Sequence, residues 1–270
     1  MNKITCSLTV MLVLMTHILC AQISSASERN RFSSGNEEDL NLVGNPGALQ
    51  PDSLQLVGMR YSRSFWLREL DKKSFLLSMP VQLKYRLSVA VSDRGFNLYR
   101  EQDYTVGYSQ KFGKQITAGL RWNMHHVKFG EDYGSLNHHR ITAGMQARLT
   151  SRLTTAVMAV VPVSQTMYNP LSDYSRIIIS AAADYRFSPQ FVVEGEVMQC
   201  EGSKPEIRNG FKYSPLNAIS FSAEVNWMTM QTAYGFSVYY KRMKLIMETS
   251  YHRQLGFSPV CSLLFLLPKK

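Results

Sequence analysis

Four histidines, His125, His126, His138 and His139, form two adjacent pairs with Glu131 and Asp132 between them. Imidazoles and a carboxylate at such spacing are a ligand set for zinc or another divalent metal. In extended chain, His125 and His138 would share one face and the other two would point away. Histidines at a loop edge without a ligand are the commoner case, so no metal and no cofactor is assigned. A hydrolase would need a nucleophile beside a base. His125 or His252 are the available bases, and Ser109, Ser135 or Ser250 the available nucleophiles. No Gly-x-Ser-x-Gly stretch accompanies them. Asp184 opposite Glu194 has the form of an acid–base pair, but neighbouring Arg186 favours an ion pair instead. The expectation is a protein that is not an enzyme.

The elements that would position these groups repeat with a period of two. Ile116, Ala118, Leu120, Trp122 and Met124 alternate with Thr117, Gly119, Arg121, Asn123 and His125. Ile141 to Leu149 and Ile219 to Trp227 alternate in the same way, and helical periodicity is nowhere sustained. About fourteen such segments lie between Gln55 and Phe265, roughly 15 residues per strand and link, which suits a membrane-crossing strand and its connection. Short turns are expected at 80–82, 113–114, 150–152, 188–189, 215–217 and 241–243. Generally longer polar loops are expected at 66–72, 92–103, 128–137, 164–175, 200–205, 228–231 and 253–255. That asymmetry between the two rims marks an outer-membrane barrel.

The apolar face decides between membrane and water. Its middle carries no Asp, Glu, Lys or Arg; Gln110 and Asn209 are its polar exceptions, and Arg63, Lys128 and Arg253 fall at strand ends. A charge facing lipid at mid-bilayer costs ~2–4 kcal/mol, so this depletion is expected there. Aromatics gather at strand ends in two girdles, Phe112, Tyr185, Phe187, Phe191 and Tyr213 near short turns, Tyr104, Trp122, Trp227, Tyr234 and Tyr251 near long loops. A soluble β-sandwich would alternate too but has no reason for the girdles. The opposite face would line the lumen with Arg60, Lys84, Arg86, Arg121, Arg148, Asp184, Arg186, Glu194, Glu196, Arg208, Lys212, Glu224 and Glu248. Hairpin pairing would place Glu196 beside Arg208 and Arg208 beside Glu224. Buried charges need partners, so an ion-pair network filling the barrel is favoured over a solute filter built from the same residues.

Residues 1–21 carry Lys3, an apolar stretch and then Cys20-Ala21-Gln22, the layout of a secretory signal peptide cut after Ala21. Thr5, Ser7, Thr9, Thr16 and His17 weaken a retained anchor, and His17 does not suit an acylated Cys20. Cys200 and Cys261 would remain after cleavage, one at a loop edge and one in a distant strand, as two free thiols. Residues 22–54 are polar and include Asn45-Pro46-Gly47-Ala48-Leu49; too short to fold alone, they would tuck into a barrel mouth as a plug. Residues 55–270 form the barrel. The fold class is thus all-β, a transmembrane antiparallel barrel of about 14 strands with a short N-terminal plug segment, located in the cell outer membrane.

A barrel of this size preceded by Asn-Pro-Gly-Ala-Leu resembles the FadL-like superfamily of long-chain fatty-acid transporters, and more narrowly the PorV/PorQ-type outer-membrane proteins of the Bacteroidetes. Members often show Asn-Pro-Ala-Xaa-Leu before the first strand; Gly47 stands here in place of the Ala. The signal peptide ending is similar to theirs, whereas Phe265 is followed by Leu266-Leu267-Pro268-Lys269-Lys270 where an aromatic at or near the last position is usual. The resemblance implies an amino-terminal plug formed with Asn45, Pro46 and Gly47. In its transporters, hydrophobic solutes leave sideways through a strand kink; other members are secretion components that bind cargo proteins.

Three functions follow as expectations: a transporter or channel for small hydrophobic molecules, a non-transporting scaffold or secretion accessory, and a barrel hydrolase. The chain carries a net charge of +10. With no helix or aromatic-basic platform and an exported location, nucleic acid is not a partner. The bilayer and lipopolysaccharide are, the latter near Arg68, Lys72, Lys73, Arg94 and Arg100. A small hydrophobic ligand or a secretion-system protein would complete the set.

Overall fold

The computed structural model describes residues 44–48, 54–82, 84–130, 134–163 and 176–268. Within them run fourteen strands: β1 (Leu54–Arg63), β2 (Asp71–Gln82), β3 (Tyr85–Phe96), β4 (Tyr99–Phe112), β5 (Ile116–Phe129), β6 (Ser135–Arg148) and β7 (Leu153–Pro162), followed by β8 (Ile178–Ser188), β9 (Phe191–Cys200), β10 (Glu206–Leu216), β11 (Ile219–Asn226), β12 (Gln231–Tyr240), β13 (Met243–His252) and β14 (Gly256–Pro268). Each pairs antiparallel with its sequence neighbours, and β1 pairs with β14 to close the barrel. Closure leaves no unpaired edge, which is what allows a sheet to cross a bilayer. The signal-peptide expectation falls on residues 1–21, outside those described.

The alternation expected from sequence is realised inside out relative to a water-soluble fold. Phe75, Val89, Val106, Leu120, Ile141, Val157, Val197 and Phe221 are exposed, whereas Ser78, Ser109, Arg121, Thr142, Asp184 and Lys244 are buried. An exposed apolar band around a buried polar interior is the solution expected in lipid. Aromatics stack along its short-turn margin, with Tyr185, Phe187, Phe191 and Phe211 in successive ring contacts of 4.7, 6.1 and 5.9 Å. Trp122 lies over His139 at 5.6 Å on the outer face. A small apolar core of Leu56, Leu76, Ala90, Ile246 and Leu264 fills the lumen where β1 and β14 join.

Register shifts occur between Pro80 and Gln82, between Arg186 and Ser188, and between Tyr213 and Leu216, all at the short-turn rim. Bulges belong at such rims, and Pro80 and Pro215 sit in two of them, where a missing N–H costs no ladder bond. One connection differs from expectation. Residues 92–103 do not form a loop: β3 and β4 stay paired from Ser92–Asp103 out to Phe96–Tyr99. The segment is polar on both faces because it projects beyond the apolar band, so its period-two signal is lost while its ladder persists. At the tip the Arg100 guanidinium lies 2.6 Å from Asp93 and holds that carboxyl below the usual range.

Candidate functional site

The barrel interior divides into two walls of different chemistry. On β8 to β13, inward positions supply Asp184, Glu194, Glu196, Glu206, Glu224 and Glu248 together with Arg208, Lys212 and Lys244. Arg208 lies opposite Glu196 in the β9–β10 register, its Nη1 3.8 Å from Glu196 Oε2 and its Nη2 3.6 Å from Glu206 Oε2. Asn226 Nδ2 donates to the same Glu206 oxygen at 3.0 Å. Arg60, across the β1 seam, comes within 3.7 Å of Glu248. Lys244 is 1% exposed, with its ammonium 4.8 Å from the Tyr239 ring centre. These groups surround a lumenal cavity of about 100 Å³. The expected Glu196–Arg208 pair is therefore present. The expected Arg208–Glu224 pairing is shifted, because the β10–β11 register sets Arg208 opposite Asn226 and Glu224 opposite Gly210. Asp184 does face Glu194. Arg148 and Arg186 occupy exposed strand ends, and Lys84 lies in the exposed turn after β2, so these three belong to the short-turn rim.

The second wall, β4 to β7, holds the Asn-Pro-Gly-Ala segment. Proline's fixed φ and absent N–H suit the first position of a short helical turn, and Pro46–Ala48 forms a 3₁₀ turn. Asn45 organises it: its Oδ1 accepts the Gly47 N–H at 2.8 Å, and its carbonyl accepts the Ala48 N–H at 3.0 Å. Its Nδ2 donates to the carbonyls of Met145 (3.1 Å) and Val157 (3.2 Å), bridging β6 and β7 from inside. Arg121, 4% exposed, donates from Nη2 to the Gly44 carbonyl at 2.5 Å. Two glycines make room for the turn. A Cβ on Gly119 would lie 2.5 Å from the Pro46 carbonyl oxygen, and one on Gly144 would collide with the Asn45 side chain. Behind this wall, on the lipid side, is a groove of about 570 Å³ floored by Ala118, Ala143 and Ala159 and flanked by Phe112, Leu120 and Ile179. Gly119, Gly144, Met145 and Val157 border both the groove and the docked turn, so only the backbone separates them.

The histidines lie near the long-loop rim. His125 and His138 are register partners on the lumenal face, ring centres 6.4 Å apart. His125 Nδ1 is 2.6 Å from Asp103 Oδ1, while Ser92 Oγ (2.8 Å) and Lys72 Nζ (3.3 Å) reach Asp103 Oδ2. His126 and His139 turn outward, to Asn137 (2.7 Å) and Trp122. Among the described residues no group of three or more His, Cys, Asp and Glu is placed to hold a metal; Glu131 and Asp132 lie outside them. Ser109 is six residues along β4 from Asp103, about 20 Å of strand from the His125 row, so that pair does not form a dyad. His252 Nδ1 accepts the backbone N–H groups of Gln254 (3.3 Å) and Leu255 (3.2 Å). Cys200 is buried and Cys261 exposed, both as free thiols.

Sequence reasoning missed the Asn45 clamp, the engagement of His125 by Asp103, the buried Lys244 and the outer groove. The small outward residues Ala118, Ala143 and Ala159, set among large ones, were the legible trace of the groove. The loop expected at 66–72 is present at 64–70, where Phe65 and Trp66 adopt φ of 54° and 61°. There the Phe65 N–H donates to Ser258 Oγ at 3.0 Å, and its ring meets His252 edge-on at 6.1 Å.

No protein family and no curated protein matches the chain. Solved barrels do. It superposes on a Pseudomonas aeruginosa FadL homologue with a TM-score of 0.60 at 8% identity, over 85% of this chain and 94% of that one. The Pseudomonas putida toluene transporter TodX gives 0.56 at 8%, over 89% and 95%. The deltaS2S3 mutant of the TodX monoaromatic hydrocarbon channel gives 0.58 at 9%, over 84% and 94%. At these identities the likeness is one of fold, that of outer-membrane β-barrels.

Proposed function

We propose that this chain is an outer-membrane channel for small hydrophobic molecules, exported by residues 1–21 and plugged by residues 22–54. One observation carries this reading: the Asn45–Ala48 turn docks inside the barrel on a wall one backbone thick, with an apolar groove directly behind it. A solute passing that wall would leave the lumen for lipid without crossing the charged network of β8 to β13. Similarity to a toluene transporter supports the substrate class. The outer leaflet, with lipopolysaccharide near Arg68, Lys73 and Arg100, is the surrounding partner.

The test is single-channel conductance of the refolded protein in planar bilayers, with and without residues 22–52. Steps that appear or enlarge on deletion support a plugged channel. Ala143→Trp, which fills the groove, should then lower uptake of a monoaromatic probe while leaving ion conductance unchanged. Silence from both forms in verified, inserted protein would overturn the channel. It would favour a second reading, a non-transporting scaffold or secretion accessory, which draws support from the ion-paired network inside the barrel.

A further inference from the structure

Charge is arranged differently on the two rims. At the long-loop rim opposite signs meet: Arg63 lies 2.7 Å from Asp71, Arg100 2.6 Å from Asp93 and Lys72 3.3 Å from Asp103. The short links carry one sign. Lys84 follows β2, Lys114 follows β4, Arg152 follows β6, and Lys241 and Arg242 follow β12, all exposed. None of the six short links contains Asp or Glu, and Asp184 and Glu194, further along β8 and β9, face the lumen. Backbone bonds join neighbouring links: the Lys111 N–H donates to the Lys84 carbonyl at 2.9 Å, that of Arg148 to Gln115 at 2.8 Å, and that of Arg186 to Arg152 at 2.8 Å. The cations from β2 to β9 thus form one arc of the rim, with Lys241 and Arg242 further round. Phe112, Phe187 and Tyr240 beside them are exposed on the lipid face. Lys241 shows where such a cation lies, its ammonium 5.4 Å from the centre of the Tyr240 ring, which is 66% exposed. Lys241 also adopts φ of 55°, a conformation that glycine would take without strain, so its side chain is kept there at a conformational cost.

We propose that this arc binds the headgroups of anionic phospholipids in the leaflet at the short-turn rim, the periplasmic side of such a barrel. Cations just past the aromatic margin of an apolar band stand at headgroup level, with their alkyl stems along the rings. The surface continues the lipid-facing band without a break, which favours a lipid over a soluble acidic chain. Like charges spread along one arc repel unless anions lie among them. Each exposed contact is weak, so the anionic lipid gathers as an exchanging annulus rather than at one fixed site. The inference holds whether or not the barrel conducts.

The test uses the full mature chain folded into vesicles of equal parts phosphatidylcholine and phosphatidylglycerol. Trp66→Phe, Trp122→Phe and Trp227→Phe clear the background, Tyr240→Trp places a reporter beside Lys241, and heat-shifted electrophoretic mobility verifies folding. Quenching is compared with brominated chains on one lipid and then on the other. Brominated phosphatidylglycerol should quench more effectively by about threefold, as one or two weak exposed ion pairs supply. The preference should fade as salt is raised. Lys241→Asn with Arg242→Gln should abolish it, asparagine tolerating the same φ, and Lys241→Arg with Arg242→Lys should retain it. Equal quenching by both lipids in folded protein overturns the proposal, as does a preference that survives the neutral variant or is lost in the charged one. Absence of a lipid preference together with saturable binding of a fluorescent oligoglutamate to the detergent-solubilised protein, lost in the neutral variant, also overturns it and assigns the arc to a soluble acidic partner.

Discussion

Asn45 does the most for its size. It closes its own turn and ties that turn to two strands whose carbonyls lie 100 and 112 residues away in sequence. Asn45→Ala removes three hydrogen bonds and leaves the Met145 and Val157 carbonyls without that donor, at a cost of about 1–3 kcal/mol borne by the dock alone. Limited proteolysis should then cut the N-terminal segment several residues deeper while the barrel keeps its heat-shifted mobility. Gly144→Val should do the same through steric eviction, because its side chain would occupy the place of the Asn45 amide. The free thiols give an independent residue-scale check. Cys261 lies on the lipid-facing side of β14 and Cys200 is buried, so a charged maleimide should spare both in folded protein in detergent and modify both after unfolding, and reduction should not alter mobility.

Strands here report their surroundings through which face carries charge. Val106 on β4 and Leu120 on β5 are lipid-facing at mid-strand, and Thr105 and Arg121 beside them face the lumen. Val106→Lys should destabilise the barrel by ~2–4 kcal/mol, read as the urea midpoint for tryptophan fluorescence in phospholipid vesicles, and Thr105→Lys should cost clearly less. The β3–β4 hairpin makes a prediction about sidedness. Its tip at residues 97–98 stands beyond the apolar band on the long-loop rim, so an epitope inserted there should be bound by antibody on intact cells. An insertion at 113–114, on the short-turn rim, should be bound only after the outer membrane is opened. The tip was read as loop from sequence because both its faces are polar, and a period-two pattern exists only where lipid and lumen impose opposite demands.

The molecule as a whole is a closed cylinder with one wall of paired charge and another that holds the Asn45–Ala48 turn. Strand number and the face most strand residues take were determined by the sequence. Each follows from a local rule: neighbouring residues in a strand face opposite media, and the media differ strongly enough to select composition. What the tertiary structure alone decided are relations between distant strands. Arg208 meets Glu196 and Glu206 but sits opposite Asn226, because a register set by the turn at residues 216–219 moves Glu224 one inward step away. Asn45 grips Met145 and Val157, and Gly119 and Gly144 turn out to be the floor of its dock, because the turn at residues 45–48 lies in the lumen against β5 and β6. The apolar groove behind that dock arises from three alanines on three strands that become a surface only once β5, β6 and β7 are paired. Alternation is a property of adjacent residues and can be read along a chain; register, closure and docking join residues that the chain itself keeps far apart.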